Sequence, residues 1–324
     1  MRKVLITGAG GFIGSHLVEL CVKKGYSVRA MIHYNSINHW GWLENLPCKK
    51  SIEIISGDIR DFDSVYDAVK GCDTIFHLAA LIGIPYSYVS PLAYIRTNIE
   101  GTYNVLQSSK QLNIKNILIT STSETYGSAQ YVPIDEHHPM VGQSPYSATK
   151  ISADQIALSF YKSFNLPVKI VRPFNTYGPR QSARAMIPTI ISQILQGNKS
   201  IKLGNLDPTR DLTYVKDTVN GFYEIAKLKT HFGEAINIGM NKEISVRQLV
   251  DLIADLMRVK IRIQKDFARI RPRNSEVERL NCDNSKIRTY TDWHATYDLT
   301  SGLKETISWM RKNYKKYKAE SYNI

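Results

Sequence analysis

The sequence is poor in the features that identify a metal-bound, disulfide-linked, membrane-spanning or secreted protein. Its 324 residues include only four cysteines, which are far apart and form no Cys-x-x-Cys pair, so neither a zinc site nor a disulfide framework is indicated. No apolar run approaches the roughly 20 residues that a membrane span needs. Residues 1–3 lead straight into a short apolar run and glycines, unlike a signal peptide. We therefore expect a cytoplasmic protein with no membrane partner and no metal.

Acidic residues are scarce relative to basic ones. Lysine and arginine number 42 against 29 aspartates and glutamates, which gives a net charge of +13. Such an excess indicates an anionic partner: nucleic acid, an anionic surface or an anionic small molecule. The basic run at 304–318 interleaves with Trp309, Tyr314 and Tyr317, but no helix-turn-helix, zinc-finger or RNA-recognition signature accompanies it. We interpret this run as a solvated amphipathic helix and expect no nucleic-acid partner.

Short apolar strands alternate with helices through the first half of the chain. This alternation predicts right-handed βαβ units and an α/β fold with a doubly wound parallel sheet. We expect a dinucleotide-binding domain of residues 1–171 plus about 211–240, and a smaller substrate-binding lobe of about 172–210 plus 241–324. The predicted strands lie at 3–7, 27–32, 52–55, 74–78, 116–120, 168–171 and 235–238, and the predicted helices at 13–24, 93–111, 145–164 and 245–257.

Three glycines follow the first predicted strand and precede the first predicted helix. Gly8 permits a tight turn, Gly11 lets the backbone approach a pyrophosphate, and Gly14 lets the helix lie close to the strand. The N-terminus of the helix, at Phe12 and Ile13, offers N–H groups and a positive dipole to phosphates. Because the glycines stand between a strand and a helix, the pattern predicts a dinucleotide site.

The identity of the dinucleotide is open between NAD and NADP. The second strand ends without the acid that would bind the 2′-hydroxyl of NAD. His33, Asn35 and Ser36 stand there instead and suit a 2′-phosphate, which favours NADP. After the third strand, Asp58 and Ile59 suit the adenine amino group and ring face.

A tyrosine and a lysine stand four residues apart on one face of a predicted helix, at Tyr146 and Lys150. A nearby cation lowers the pKa of a tyrosine and makes it a base near neutral pH. Upstream, Thr122, Ser123 and Glu124 lie past the end of the fifth strand. Ligands bind at such strand ends in open α/β sheets, so this hydroxyl and carboxylate are candidates for handling substrate protons.

Together with Asn98, these motifs resemble the extended short-chain dehydrogenase/reductase superfamily, the NAD-dependent epimerases and dehydratases. The resemblance implies a Rossmann-type fold. It also adds the following residues to the cofactor-binding candidates: Leu78, Ala79, Ala80, Asn98, Tyr146 and Lys150. Segments that resemble the nucleotide-sugar-binding parts of the superfamily lie at 172–180, 209–211 and 271–272. Segments that resemble one subgroup, the GDP-N-acetylglucosamine 4,6-dehydratases of legionaminic-acid biosynthesis, lie at 34–36, 40–43, 84–88, 143–146 and 275–280.

The resemblance implies a redox-neutral reaction with a tightly bound NAD(P)+. Tyr146, assisted by Lys150, would remove the C4 hydroxyl proton while hydride passes from C4 to the cofactor, and Thr122 would hydrogen-bond that oxygen. Glu124 would then take the C5 proton, which the 4-ketone acidifies, as water leaves from C6. The returning hydride would give a 4-keto-6-deoxy sugar nucleotide.

One residue departs from part of the superfamily. Ser123 stands where the dTDP-glucose dehydratases carry an aspartate that protonates the leaving hydroxyl, so Glu124 would act as both base and acid. GDP-mannose dehydratases and UDP-glucuronate decarboxylases also carry serine here, so dehydration and decarboxylation both remain open. A 4-epimerase and a non-catalytic dinucleotide sensor are further alternatives. The subgroup is usually labelled NAD-dependent, which keeps the choice of cofactor open.

The expected substrate partner is a nucleotide-diphosphate sugar. Asn175 is a candidate for ordering the diphosphate, and Arg180, Arg210 and Arg271 are candidates for pairing with it, because planar guanidinium groups suit phosphate oxygens. As in many relatives, we expect a homodimer through the helices predicted at 93–111 and 145–164.

Overall fold

The computed structural model describes residues 2–317, and seven of the strands in that range form one parallel sheet in the order β10-β6-β5-β4-β1-β2-β3. The chain order reverses between β1 and β4, which is where ligands bind in doubly wound folds. The predicted α/β class with a doubly wound, Rossmann-type sheet is therefore confirmed. The strands are β1 (Lys3–Thr7), β2 (Ser27–His33), β3 (Ile52–Gly57), β4 (Thr74–His77), β5 (Asn116–Thr120), β6 (Val168–Pro173), β7 (Asn175–Tyr177), β8 (Ser200–Leu203), β9 (Thr209–Tyr214), β10 (Ala235–Ile238), β11 (Glu243–Ser245) and β12 (Arg262–Lys265).

Helices cover both faces of this sheet. Alternate residues of β1 enter separate hydrophobic clusters on the two faces, Val4 and Ile6 in one and Leu5 in the other, and all three are fully buried. Continuous apolar strands of this kind are typical of parallel sheets covered on both sides. The helices in the described residues are α1 (Phe12–Lys23), α2 (Phe62–Val69), α3 (Ile84–Val89), α4 (Pro91–Tyr94), α5 (Gly101–Gln111), α6 (Pro145–Phe164), α7 (Met186–Leu195), α8 (Val215–Lys227), α9 (Val246–Met257), α10 (Ser285–Tyr290) and α11 (Leu299–Asn313).

Local signals explain where α6 begins and ends. Ser144 caps its N-terminus in a reciprocal capping box with Ser147, and Pro145 occupies the first turn. Asn165 ends the helix in the left-handed conformation, with φ of 53°. The bounds predicted from the sequence, 145–164, therefore agree with the structure, and the tyrosine and lysine of the motif share this helix.

The helix predicted at 93–111 is not regular. A π-helical segment, Ile95–Glu100, joins α4 to α5. Its buried Asn98 forms hydrogen bonds with Leu81, which follows β4, and with Thr149 on α6. Those contacts depend on the tertiary fold, so the sequence pattern of the helix did not indicate the wider turn.

The remaining strands form two small sheets, one in the order β11-β9-β7 and a second that pairs β12 with β8. The division of the chain into two lobes at the residues given above stays a prediction. The basic run forms the end of α11 and a 3₁₀ turn, Tyr314–Lys316, while Lys318 lies outside the described residues. Within residues 2–317, no helix is long and apolar enough to cross a membrane, and no group of three or more metal-ligating side chains occurs.

Candidate active site

The glycine turn between β1 and α1 is packed against the end of β4. Gly8 has φ of +66°, and a Cβ atom there would lie 2.8 Å from the backbone nitrogen of Ala79. A Cβ on Gly14 would lie only 2.2 Å from the carbonyl oxygen of Gly8. Side chains larger than hydrogen therefore do not fit at these two positions, as the motif predicts.

The N-terminus of α1 suits a diphosphate. Gly11 is the N-cap and provides no side-chain hydrogen bond, and the first turn of α1, which lies in the described part of the chain, carries no acid. The first N–H groups of α1, near Phe12 and Ile13, therefore have neither a capping oxygen nor a nearby carboxylate. Because such groups and the helix dipole favour phosphate, these residues fit a dinucleotide cofactor.

The cofactor-binding candidates at the end of β2 differ in whether the protein already uses their side chains for hydrogen bonds. The Asn35 amide closes its own loop: its Oδ1 accepts from the His39 backbone nitrogen at 2.8 Å, and its Nδ2 donates to the His39 carbonyl oxygen at 2.7 Å. His33 and Ser36 are exposed. Asn35 thus shapes this loop, and the exposed polar side chains of His33 and Ser36 are the ones that remain for a ribose or a 2′-phosphate.

Asp58 follows β3 and has a cationic partner that the sequence analysis missed. Arg60 Nε lies 2.9 and 3.0 Å from the two carboxylate oxygens of Asp58. Hydrogen bonding from Arg60 lowers the pKa of Asp58. The only sequence signal for Arg60 was its position two residues after Asp58. Ile59 is buried, and its carbonyl oxygen accepts from the Asn104 amide at 3.0 Å.

The segment after β4 is fixed by two polar side chains. Thr7 Oγ1 accepts from the backbone nitrogens of Leu78 and Ala79, both at 3.1 Å. Asn98 Oδ1 accepts from the backbone nitrogen of Leu81 at 2.9 Å, and its Nδ2 donates to the Leu81 carbonyl oxygen at 3.0 Å. Asn98 is therefore a positioning residue, which holds the backbone next to Ala80.

The structure brings together the predicted Thr122, Glu124 and Tyr146. Thr122 caps a 3₁₀ turn, Ser123–Tyr126, directly after β5. Both Glu124 and Tyr146 are buried. Burial raises the pKa of Tyr146, the neighbouring Thr122 hydroxyl opposes this rise, and the nearby Glu124 adds to it. The phenol is thus protonated at neutral pH in the structure as it stands.

Lys150 lies one helical turn after Tyr146 and is buried. Its Nζ donates to the Thr120 carbonyl oxygen at 2.5 Å, and burial lowers its pKa. Desolvation dominates at the Tyr146 phenol and raises its pKa. The assisting role of Lys150 stays a prediction.

A buried ion pair adjoins the turn that carries Thr122, Ser123 and Glu124. Asp154 Oδ2 accepts from Arg172 Nη2 at 3.0 Å and from Ser121 Oγ at 2.7 Å. Arg172 Nη1 donates to the Tyr126 hydroxyl at 3.0 Å, and that hydroxyl donates to Asn237 Oδ1 at 2.8 Å. Ser121 and Tyr126 bracket Thr122–Glu124 in the sequence, so this network holds both ends of the turn.

Arg210 and Arg271 meet in one charged cluster with Glu124 and Glu276. Glu276 Oε1 lies 3.3 Å from Arg210 Nη2 and 3.8 Å from Arg271 Nη1, and Arg271 Nη1 lies 3.7 Å from Glu124 Oε2. Burial lowers the pKa of Arg210. Arg271 Nη1 is buried and has no hydrogen-bond partner in residues 2–317. Two predicted diphosphate ligands thus adjoin the predicted base, and Glu276 is a member that the sequence analysis assigned no role.

The other two substrate-binding candidates, Asn175 and Arg180, have different contacts. Asn175 Oδ1 is buried without a hydrogen-bond partner in the described residues, so its oxygen is available to a ligand. Arg180 instead contacts α1: its Nη1 lies 2.7 Å from Glu19 Oε2 and 3.3 Å from Ser15 Oγ. Glu19 neutralises the charge of Arg180, which was expected to pair with the diphosphate.

This arrangement has a counterpart among known protein families. The family model described as GDP-mannose 4,6 dehydratase matches residues 5–306. The chain belongs to this family. The predicted superfamily is therefore confirmed, as is the prediction that the protein is an enzyme.

The relatives that this chain resembles are named for different reactions. It is 32% identical to a UDP-N-acetyl-alpha-D-glucosaminuronate decarboxylase of Bacillus cytotoxicus, over 96% of this chain and 98% of that protein. It is 29% identical to a dTDP-glucose 4,6-dehydratase of Streptomyces antibioticus, over 96% of this chain and 92% of that protein. A dehydratase and a decarboxylase are thus about equally similar to it.

Similar solved structures contain NAD. The dTDP-glucose 4,6-dehydratase DesIV of Streptomyces venezuelae, with NAD and TYD bound, matches 99% of this chain and 100% of its own at 26% identity and a TM-score of 0.89. The UDP-glucuronic acid 4-epimerase of Bacillus cereus, in complex with UDP-glucuronic acid and NAD, matches 97% and 100% at 27% identity and a TM-score of 0.88. These neighbours support a nicotinamide cofactor and do not distinguish NAD from NADP.

Proposed function

We propose that the protein is a nucleotide-sugar 4,6-dehydratase, with GDP-N-acetylglucosamine as the first substrate to test. The observation that carries the proposal is the buried carboxylate of Glu124 beside Thr122 and Tyr146. Oxidation at C4 alone, as in an epimerase, needs only the hydroxyl groups of Thr122 and Tyr146. Elimination of water across C5 and C6 also needs a group that takes a proton from carbon, and Glu124 supplies one.

Each residue has a defined task in this reaction. Tyr146 and Thr122 contact the C4 oxygen, and Tyr146 receives its proton. A bound oxidised nicotinamide supplies the hydride acceptor and a positive charge that favours the Tyr146 phenolate. Glu124 takes the proton from C5 and, because Ser123 has no acidic proton to give, returns it to the hydroxyl that leaves C6. The hydride taken from C4 would then add to C6 and the proton taken from the C4 hydroxyl would be returned to C5, so the net change is the loss of one water.

The charged cluster supports an anionic substrate. Arg210 and Arg271 present guanidinium groups next to Glu124, and a diphosphate there would place the hexose against the base. Asn175, with its unpartnered Oδ1, is a further candidate for ordering the substrate. The GDP-N-acetylglucosamine assignment rests on the sequence segments that resemble one subgroup, and NAD and NADP are both candidates for the cofactor.

We also propose a homodimer through α4, α5 and α6. Large apolar side chains are exposed on or next to these helices, and a group of exposed apolar side chains favours an interaction site. The exposed side chains are Val89, Leu92, Ile95, Tyr103 and Phe164. Light scattering on the purified protein measures the state directly.

The experiment that tests the reaction is a mass spectrum of the products from GDP-, UDP- and dTDP-sugars. A 4,6-dehydratase gives a product that lacks one water and absorbs in base. A 4-epimerase gives no mass change, and a decarboxylase releases carbon dioxide from a UDP-uronate. The decarboxylase is the second candidate because Ser123 suits both reactions. A non-catalytic sensor would bind dinucleotide and turn over none of these sugars.

The variant Glu124→Gln tests the assigned base. We expect it to lose water elimination by about a hundredfold or more, as positioned acid–base groups contribute, while the dinucleotide stays bound. Glu278→Gln, which removes an exposed carboxylate, is the matched control and should keep normal turnover. Normal turnover by Glu124→Gln would reject the assignment.

A further inference from the structure

A cavity of about 320 Å³ lies on the Tyr94 side of Tyr146. Its walls are the backbone and side chains of residues 80–83, together with Tyr86, Tyr94 and Arg184. The Tyr94 ring contacts Tyr146 edge-on, with the ring centroids 6.2 Å apart. Among the described residues, none of Glu124, Arg210, Arg271 or Glu276 lines this cavity, so it is separate from the charged cluster.

Arg184 is the charged residue of this cavity, and its guanidinium is unpaired. Its side chain forms no hydrogen bond or ion pair with the rest of residues 2–317, whereas Arg172, Arg180 and Arg210 each pair with a carboxylate. The guanidinium lies against Gly83, where a Cβ would come within 2.8 Å of Arg184 Nη1. Burial raises the pKa of Tyr94 to about 12, and the charge of Arg184 opposes this rise.

We propose that Arg184 determines substrate specificity by donating hydrogen bonds to the carbonyl oxygen of an acylamino substituent on the hexose. This inference rests on the proposed function, which puts C4 of the hexose at Tyr146. The proposed function assigns Glu124 to C5, and Glu124 does not line the cavity, so we assign the cavity to a substituent of C3 or C2, on the other side of C4.

The chemistry of the walls matches an acylamino group better than a hydroxyl. The guanidinium supplies a planar set of donors for an oxygen. Leu81, Ile82 and Tyr86 supply apolar surface for the methyl group of an acetyl substituent. A bare hydroxyl would satisfy the donors and leave that apolar surface exposed to water.

The test compares the N-acetylglucosamine and glucose forms of one nucleotide sugar, with the nucleotide held fixed. We expect Arg184→Ala to lower kcat/KM for the N-acetyl substrate about ten- to a hundredfold, mainly through KM, and to change the glucose substrate by less than about threefold. Arg184→Lys keeps the charge without the planar donors and should recover only part of the preference. Arg288→Ala, at an exposed position on α10, is the matched control and should behave as the parent protein.

Calorimetric binding of the same two ligands separates this inference from the proposed reaction. If no water is lost but binding still prefers the N-acetyl ligand and the preference depends on Arg184, the reaction assignment fails and the specificity assignment stands. Equal losses on both ligands, no loss on either, or no binding of either ligand to the parent protein would overturn the inference.

Discussion

Replacing Asp154 by asparagine should destabilise the protein and disturb the turn that carries Thr122, Ser123 and Glu124. Asp154 is fully buried, and its partner Arg172 is 3% exposed. The substitution keeps nearly the same volume and an oxygen for Ser121, but it removes the charge and leaves the guanidinium buried without a counter-ion. Removing one partner of a buried pair costs about 3–5 kcal/mol. Because the amide oxygen still accepts hydrogen bonds, we expect a loss of about 3 kcal/mol, at the lower end of that range.

The assay is urea unfolding of four proteins: the parent, Asp154→Asn, Arg172→Met and the double variant Asp154→Asn/Arg172→Met. The double variant removes both charges and should be more stable than the sum of the single effects predicts, because neither charge is left buried alone. Water elimination should also slow in Asp154→Asn, since Ser121 and Tyr126 hold the turn that carries Glu124. Dinucleotide affinity should change little.

Two results would refute this reasoning. A loss of less than about 1 kcal/mol in Asp154→Asn would mean that water or a nearby group solvates Arg172. Strict additivity in the double variant would mean that the two side chains are not energetically coupled.

Two further predictions follow from the packing around the sheet. Gly14→Ala should unfold at a lower temperature than Gly11→Ala, because its Cβ would lie 2.2 Å from the Gly8 carbonyl oxygen rather than 3.2 Å. Dinucleotide titration should show at least about a tenfold loss of affinity for Gly14→Ala. Equal unfolding temperatures of the two variants would contradict the packing. Burial lowers the pKa of His77 and of His16 to about 3, so below pH 6.5 the unfolded chain binds more protons and stability falls as the pH falls. Between pH 7 and pH 5 each histidine should cost about 2 kcal/mol. His77→Gln should therefore lose less stability than the parent over this interval in urea unfolding, and equal losses in the two proteins would contradict neutral burial of His77.

The sequence was informative wherever structure depends on local patterns. The bounds of β1, β5, β10 and α6 agree with those predicted, because apolar runs and a capping box mark them locally. The glycine turn and the Tyr146 helix were also predictable, since both are short motifs whose spacing carries the chemistry.

Features that depend on distant contacts were not predictable. Arg180 was expected at the diphosphate, but Glu19, 161 residues away in the chain, pairs with it. Glu276 and Arg271 come together with Glu124 only in the folded protein. The raised pKa of Tyr146 follows from burial, which a spacing of four residues does not reveal.

The order of strands in the sheet has a consequence for how the chain folds during its synthesis. Strand β10 pairs only with β6, at the edge of the sheet, and its Asn237 accepts the Tyr126 hydrogen bond across 111 residues. A nascent chain that has emerged only to Pro173 therefore exposes the unpaired edge of β6 and leaves the Tyr126 hydroxyl without its acceptor. The turn that carries Thr122, Ser123 and Glu124 is synthesised early. Its hydrogen bond from Tyr126 to Asn237 can form only after the ribosome has translated β10, which ends at residue 238.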